Sequence, residues 1–265
     1  MAPVERVAYR GVFSVRILAE RFRRREFLGN RPLQPRYDAD SIRALFDEMA
    51  GTYGVVNLIS SFGFAARWRH QAVGQLREAK PTRVIDLMSG MGELWHSVAR
   101  YLPATAHVTA IDLSPEMARR AKKGYPFGLE MTIADVLAWE YPAGCADAVV
   151  SSFGLKTFDR AQQALLAARV ARMLSAGGVF SFVEISVPRA GWLRLAYMFY
   201  LRQIIPLIGR LFVGNPANYR MLGVYTEAFG DCRHFADCLE TAGLRVTRVS
   251  YFFGCATGVC GMKTG

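Results

Sequence analysis

Glycines and carboxylates follow the first two predicted strands, at positions where they could hold a nucleoside. The segment DLMSGMGE, which begins at Asp86, contains Gly90 and Gly92, and glycines permit a tight turn and close approach of a ligand to the backbone. Asp112 ends the next strand about 20 residues later, where a carboxylate can accept hydrogen bonds from a ribose. Neither GxGxxG nor GxxxxGK[ST] occurs here, so a pyrophosphate-binding loop is disfavoured.

A third carboxylate follows the third predicted strand. Asp135 could meet the amino group of an adenine, or it could simply cap a turn. A site for ribose and adenine without a phosphate loop suits S-adenosylmethionine, an adenosine that carries a sulfonium amino acid. Because its methyl group is already activated, a protein that binds it mainly aligns the acceptor and excludes water.

Strands and helices are predicted to alternate over residues 83–263. The predicted strands are 83–87, 107–113, 129–134, 146–152, 179–186, 244–253 and 256–263. The predicted helices are 93–101, one that opens at Pro115, 159–174 and 231–242. This alternation predicts an α/β fold with a mostly parallel, seven-stranded sheet and helices on both faces. Gly177 and Gly178 are expected to stop the 159–174 helix.

Two segments lie outside this alternation. Residues 41–50 and about 64–79 have helical periodicity, and Gly51 and Gly54 are expected to break the first helix. Residues 188–230 predict an insertion after the fifth strand. We therefore divide the chain into an N-terminal arm (1–37) and a single domain (38–265), with a helical lid at 38–80 and a substrate-side insertion at 188–230.

The net charge of +11 is concentrated near the N-terminus, since residues 1–36 contain nine arginines and three glutamates. This arm is expected either to be solvated or to rest on an anionic membrane surface. No nucleic-acid-binding pattern accompanies the charge. The five cysteines lack paired spacing, so neither a disulfide framework nor a metal site is expected. Without an evident signal or membrane span, we expect a cytoplasmic protein, with peripheral membrane contact as the alternative.

Seven segments carry a resemblance to a known family. They are FDEMAGTYGVVNLISSFG (46–63), DLMSGMGE (86–93), IDLSPEM (111–117), ADVLAWEYP (134–142), SFGLKTF (152–158), MLSAGGVFSFVEISVP (173–188) and YLRQIIPLIGRLFVGNPANYRML (200–222). In order and spacing, the chain resembles the UbiE/MenG family of ubiquinone and menaquinone biosynthesis C-methyltransferases over about residues 39–263. The resemblance implies a Rossmann-like class I methyltransferase fold and S-adenosyl-L-methionine as the cofactor.

The resemblance also implies which residues contact the cofactor. Carried over by position, they are Tyr53, Asp86, Gly90, Met91, Gly92, Asp112, Leu113, Asp135, Val136 and Ser152. Asp112 would hold the ribose, Asp135 and Val136 the adenine, and Tyr53 of the lid would help to close the site. Met91 stands where the family usually has threonine, and its thioether can pack against the cofactor.

The segment SFGLKTF departs from the family at Lys156 and Thr157, where Arg-Asn is usual. Those residues are thought to help activate a quinol ring, so the departure bears on the substrate and on the base. The candidates for catalysis are Lys156, Tyr219, Tyr225 and His234. The alternatives are a solvated surface lysine, tyrosines packed under the insertion, and a histidine that caps or packs against a helix. Glu184 could face the substrate or pair with an arginine.

The leading hypothesis is a C-methyltransferase for a lipophilic quinol-like, aromatic or polyene small molecule. The insertion is rich in aromatic and aliphatic residues, which suits a tunnel for a prenyl-like tail or a contact with membrane, although plain core packing is an alternative. O- or N-methylation, including that of phospholipids, would need the same cofactor motifs. A non-catalytic partner in a membrane complex is the third hypothesis, and the intact glycine and aspartate motifs argue against it. A homodimer is a further expectation.

Overall fold

The computed structural model describes residues 33–121, 128–212 and 215–264. The helices are α1 (Ala39–Met49), α2 (Tyr53–Ser60), α3 (Phe64–Gly74), α4 (Trp95–Tyr101), α5 (Pro115–Arg120), α6 (Arg160–Met173), α7 (Gly191–Phe199), α8 (Ile205–Leu211), α9 (Pro216–Phe229) and α10 (Arg233–Thr241). A π-helical segment, Tyr200–Ile204, joins α7 to α8, and short 3-10 turns occupy Arg77–Ala79, Leu155–Thr157 and Phe252–Gly254.

A seven-stranded sheet forms the centre of this fold. Its strands are β1 (Arg83–Leu87), β2 (His107–Asp112), β3 (Leu129–Ile133), β4 (Ala146–Ser152), β5 (Leu174–Ile185), β6 (Leu244–Tyr251) and β7 (Ala256–Lys263). Their order is β3-β2-β1-β4-β5-β7-β6, and β7 alone runs antiparallel to its neighbours. The predicted Rossmann-like α/β fold with a mostly parallel sheet is confirmed.

The central strands are apolar on both faces because helices cover both. On one face Val149, Phe180 and Phe182 pack with buried residues of α6 and α10. On the other, Val84 and Val150 pack with residues of α3 and α4. Parallel strands that are buried on both faces have nearly continuous runs of apolar residues in their sequences. The order of the strands reverses between β1 and β4, which opens a crevice at their carboxyl ends.

Some predicted helix ends differ from the structure: the helix predicted over about 64–79 ends at Gly74, and the predicted glycine stops at Gly177, Gly178 and Gly54 are wrong. The helix over 159–174 ends at Met173, and β5 begins at once with Leu174, which pairs with Ala146. Gly177, at φ +74°, therefore lies within the β5 segment rather than at the end of the helix. The first lid helix ends at Met49, before Gly51, as predicted, but Gly54 takes no part in the break because it lies inside α2, one residue after its start.

The N-terminal arm lies almost entirely outside the described residues, so its predicted contacts stay predictions. Pro35–Gly265 forms one compact unit. The insertion folds as α7, α8, α9 and the π-helical segment, and it packs against the lid through α2 and α8. In the described part of the chain, no helix is both long and apolar enough to cross a bilayer.

Candidate active site

A cleft of about 840 Å³ opens at the carboxyl ends of β1, β2 and β4, beneath the lid helices. Its lining comes from the glycine turn after β1, the ends of β2 and β4, the loop after β3, and α1, α2 and α3. Of the residues predicted to contact the cofactor, it is lined by Tyr53, Gly90, Asp112, Leu113, Asp135, Val136 and Ser152. The sheet thus brings together residues that are far apart in the sequence.

Asp112 lines the cleft and is 8% exposed. Its Oδ2 accepts a hydrogen bond from the Gly90 amide at 2.7 Å, and its Oδ1 accepts one from the Ser114 amide at 2.9 Å. Burial raises the pKa of Asp112 to about 6, and the two amides and the nearby Glu93 change this pKa less. At neutral pH the carboxylate is ionised, and each oxygen keeps a lone pair for a further donor.

The glycine turn has the conformation that its sequence predicts. Gly90 and Gly92 have φ values of +57° and +81°, where side chains are strained. A Cβ at Gly92 would lie 2.4 Å from the Trp95 ring, so this position also requires glycine for space. The indole of Trp95 donates to Asp86 Oδ2 at 2.9 Å. Asp86 and Gly92 therefore shape the turn from behind the cleft and do not line it.

Met91 also lies beside the cleft rather than in its wall. Its side chain packs close to Gly54 of the lid, where an added Cβ would meet the Met91 methyl carbon at 3.1 Å. The small residue in α2 therefore permits the turn and the lid to approach each other closely.

The adenine end predicted for the cleft is formed by the loop after β3. Asp135 Oδ1 accepts from the Leu137 amide at 2.8 Å, so this carboxylate caps a turn while it also lines the cleft. The adjacent Val136 is buried, and Phe158, which packs in the same apolar cluster as Val136, also lines the cleft. Both readings of Asp135 that the sequence allowed are compatible with this geometry.

The cleft also has lining residues of both charge signs, Arg69 and Glu93. Arg69 of α3 is 6% exposed, donates through Nε to Ser152 Oγ at 3.1 Å, and lies 4.8 Å from the centroid of the Phe153 ring. Glu93 lies on the glycine turn, and its Oε1 is buried with no partner among the described residues. Sequence reasoning missed Arg69 because its helix contains two arginines, Arg67 and Arg69, and only the packing of Trp68 and Ala72 shows that this face is buried.

A second cavity, of about 500 Å³, adjoins the cleft. It is lined by Tyr53, Val56, Asn57, Ser60, Phe153, Lys156, Ile185, Leu201, Ile205, Tyr219, Leu222 and Thr226. Tyr53 and Phe153 line both spaces, so their side chains form the shared wall. Burial and the nearby Glu93 raise the pKa of the Tyr53 phenol, which keeps it protonated at neutral pH.

Lys156 lies deep in the wall of the second cavity. Its side chain is 4% exposed and that of Glu184 is fully buried, and Nζ lies 3.0 Å from Glu184 Oε1. Nζ also donates to the Phe153 carbonyl oxygen, and the Lys156 amide donates to Glu184 Oε2 at 3.0 Å. The alternative of a solvated surface lysine is therefore wrong. Glu184 pairs with this lysine rather than with an arginine.

The other three catalytic candidates occupy different places. Tyr219 lines the second cavity, and its hydroxyl shares a 2.7 Å hydrogen bond with Thr52 Oγ1. Tyr225 is buried and donates to the Arg36 carbonyl oxygen at 2.5 Å, so it ties α9 to the start of the domain. His234, on α10, contacts the Arg160 carbonyl oxygen at 3.2 Å. Tyr225 and His234 line neither of these two cavities.

The donor set of the cleft fits S-adenosylmethionine. Asp112 offers an ionised carboxylate, and the loop after β3 adds apolar residues and amide groups to the lining. Arg69 and Glu93 add a buried guanidinium and a carboxylate oxygen that has no hydrogen-bond partner in the described structure, a combination that suits a zwitterionic amino acid.

Comparison with known proteins gives the same identification. Residues 35–265 match the model of the ubiE/COQ5 methyltransferase family. A demethylmenaquinone methyltransferase of Thermus thermophilus is 34% identical, over 80% of this chain and 96% of that protein. The ubiquinone/menaquinone biosynthesis C-methyltransferase UbiE of Geobacter sulfurreducens is 30% identical, over 84% of this chain and 89% of that protein.

Solved structures share the fold at low sequence identity. The plantazolicin methyltransferase BpumL in complex with SAH has a TM-score of 0.59 and 11% identity, over 86% of this chain and 98% of that one. The magnesium protoporphyrin IX methyltransferase (ChlM) of Synechocystis with bound SAH has a TM-score of 0.55 and 15% identity, over 86% of this chain and all of that one. The chain belongs to the ubiE/COQ5 methyltransferase family and is an S-adenosylmethionine-dependent methyltransferase.

Proposed function

We propose that the protein methylates a ring carbon of a lipophilic quinol-like aromatic molecule, and that the acceptor binds in the second cavity. The single observation that carries this proposal is that the cavity shares the wall of Tyr53 and Phe153 with the cofactor cleft. Most of its lining is apolar, and the charged residue in that lining is Lys156, which forms an ion pair with the buried Glu184. The names of the demethylmenaquinone and UbiE relatives support an acceptor of this class.

The residues of the chain prepare the acceptor for transfer. S-adenosylmethionine supplies a methyl group that is already activated, so the protein must orient the ring and exclude water. A phenol becomes nucleophilic at carbon when its hydroxyl loses a proton, which in this proposal passes to solvent water as the acceptor binds, and the ring carbon releases its own proton to water after the methyl transfer. We assign Lys156 to stabilise the resulting oxyanion, because two of its three N–H donors point to Glu184 and Phe153 and one is left for the ring oxygen.

In the same proposal, Tyr219 forms part of the wall of the acceptor site. We assign it no proton transfer, because its hydroxyl is already hydrogen-bonded to Thr52. Tyr225 and His234 are outside it, because they line neither the cleft nor the second cavity. For the cofactor we retain Asp112, Asp135, Val136, Leu113 and Ser152 as contacts from the cleft wall. Asp86, Met91 and Gly92 are proposed to act through the shape of the turn.

The experiment that tests the acceptor uses methyl-labelled cofactor and a reduced, short-chain demethylmenaquinone, with the product analysed by mass spectrometry and NMR. We expect a new methyl group on the ring carbon, and we expect Lys156→Met to lower kcat more than it changes the Kd of S-adenosylmethionine. A methyl group on oxygen, or on nitrogen of a lipid in a host extract, would replace this proposal by the corresponding alternative. Unchanged kcat in Lys156→Met would remove the assigned role of the lysine.

We also propose that the insertion contacts an anionic membrane surface, from which a lipophilic acceptor could enter. Trp192, Leu195 and Phe199 lie on one face of α7 and are 75%, 75% and 55% exposed. Residues 188–212 contain four arginines and neither aspartate nor glutamate, a balance that suits anionic headgroups. The predicted cytoplasmic location is compatible with this contact and stays a prediction.

Sedimentation with phosphatidylcholine vesicles, with and without phosphatidylglycerol, tests the membrane contact. We expect binding only to the anionic vesicles, and we expect Leu195→Glu to weaken it. The matched control is Leu165→Glu, at an exposed leucine on α6. If the chain is instead a homodimer that Leu195→Glu dissociates, without any vesicle binding, this surface is the interface between two copies.

A further inference from the structure

The first lid helix, α1, forms part of the wall of the cofactor cleft. Ala39, Ile42 and Phe46 line the cleft from this helix, and their spacing of three and four residues places them on one face. In the same cleft Asp112 is only 8% exposed, and the nearby Ser114 is 1% exposed. The cofactor can therefore reach the carboxylate of Asp112 only when part of this wall moves.

Asp47 of α1 fastens the helix to the loop after β2. Its Oδ1 accepts a hydrogen bond from Ser114 Oγ at 2.5 Å and a longer one from the Glu116 amide at 3.3 Å. Ser114 Oγ in turn accepts from the Met117 amide at 3.0 Å, and the Ser114 amide donates to Asp112 Oδ1 at 2.9 Å. The lid carboxylate and the carboxylate of the cofactor site are therefore held by the same serine. We call the contacts of Asp47 with Ser114 and Glu116 the Asp47 latch.

The Asp47 latch has a strength that permits it to open. Its hydrogen bonds are charge-assisted, but within the described part of the chain Asp47 has no cationic partner. The negative charge of Asp47 is also one of the causes that raise the pKa of Asp112, so the two carboxylates repel each other while the latch is closed. The attraction that closes the latch is thus partly offset.

The lid is attached to the substrate-side insertion by separate contacts. Glu48 Oε1 accepts from Asn215 Nδ2 at 2.7 Å, and Thr52 Oγ1 shares a 2.7 Å hydrogen bond with the Tyr219 hydroxyl. Two consecutive residues of α1, Asp47 and Glu48, therefore hold the sheet domain and the insertion respectively. Opening of the Asp47 latch leaves the contacts with the insertion in place, so it frees the cofactor side of the lid without requiring the helix to unfold.

We infer that S-adenosylmethionine and its product S-adenosylhomocysteine exchange through an open state of the lid, and that the Asp47 latch determines how often this state forms. The inference rests on the S-adenosylmethionine-dependent activity and not on the acceptor proposed above. Because the ligand must pass the open lid on entering and on leaving, a weaker latch raises the rate constants of binding and release by the same factor. Their ratio, the Kd, then stays the same.

Surface plasmon resonance with S-adenosylhomocysteine measures both rate constants. For Asp47→Ala we expect each to rise about 10-fold, the factor that corresponds to one charge-assisted hydrogen bond, with a Kd changed by less than about threefold. Asp47→Asn keeps an oxygen for Ser114 but loses the charge, so it should give a smaller rise. The matched control is Asp40→Ala on the same helix, where Asp40 pairs with Arg43 at the exposed surface, and it should change neither rate constant more than about twofold.

The pattern of the two rate constants separates the latch from a merely structural role. A release rate constant that rises alone would show that Asp47 only supports the bound site through Ser114, and it would refute the inference. Unchanged rate constants in Asp47→Ala, or an equal rise in Asp40→Ala, would refute it as well. Melting temperatures establish that the variants are folded, and Asp47→Asn provides the comparison if Asp47→Ala is not. Failure of the wild type to bind S-adenosylhomocysteine would overturn the cofactor assignment and this inference with it.

Discussion

Asp112 should make the affinity for the cofactor depend on pH, with weaker binding at lower pH. Its pKa is raised to about 6, chiefly by burial, and the hydroxyls of a ribose can donate only to its ionised form at full strength. As pH falls from 7 to 5, the ionised fraction falls from about nine-tenths to about one-tenth. Apparent affinity scales with that fraction, so the Kd of S-adenosylmethionine should rise about 10-fold over this range.

The stability of the free protein should follow the opposite trend. Because the pKa of Asp112 is higher in the folded chain than its ordinary value of 3.8, the folded state holds this proton more tightly. The contribution of Asp112 to the free energy of unfolding therefore falls as pH rises from about 4 to about 6. The difference between these pKa values corresponds to about 3 kcal/mol.

Calorimetry at pH 5, 6 and 7 measures the affinity, and urea unfolding without ligand measures the stability. The control is Asp112→Asn, which is isosteric and does not titrate in this range. We expect it to bind S-adenosylmethionine about 100-fold more weakly at pH 7, as two charge-assisted bonds are reduced, and to lose most of the dependence on pH. A wild-type Kd that is the same at pH 5 and pH 7 would refute the assignment of Asp112 to the ribose.

Three further variants test the scaffold of the site. Gly92→Ala should lower the free energy of unfolding by about 2 kcal/mol or more, because the new Cβ would lie 2.4 Å from the Trp95 ring. The control is Gly63→Ala, where φ is similar and the space is open, and it should lower the free energy of unfolding by about 1 kcal/mol. Equal losses for the two variants in thermal unfolding would contradict this account. Lys156→Met should lower the free energy of unfolding by about 3 kcal/mol, because it leaves Glu184 buried and unpaired. The double variant with Glu184→Gln should recover part of this loss. If it recovers none, the unpaired charge is not the cause of the loss. Tyr219→Phe should lose about 1 kcal/mol with its bond to Thr52, and an unchanged urea midpoint would argue against that bond.

The sheet and the centre of the cofactor site were predictable because their signals are local. Apolar runs buried on both faces identify parallel strands, and a polar residue at the carboxyl end of such a run, as at Asp112, must lie at the ligand-binding edge. The turn at Gly90 and Gly92 is similarly visible, since their positive φ values require glycine. These features depend on neighbours in the sequence rather than on tertiary contacts.

The rest of the site depends on contacts between distant residues. Lys156 is buried because Glu184 pairs with it from the neighbouring strand β5, a partner 28 residues away that no periodicity indicates. Arg69 is selected from the arginines of α3 only by the packing of that helix over β4 and β5. The end of α6 at Met173 likewise follows from the pairing of Leu174 with Ala146. This pairing ends the helix before the chain reaches the glycines that were predicted to stop it.

The most direct test of the central claim is a crystal structure of the protein with S-adenosylhomocysteine. We expect the ribose hydroxyls to lie within hydrogen-bond distance of Asp112, with the adenine at Asp135 and Val136 and the amino-acid end between Arg69 and Glu93. A complex in which the ribose contacts another acid, or in which the cleft stays empty at saturating ligand, would contradict this account.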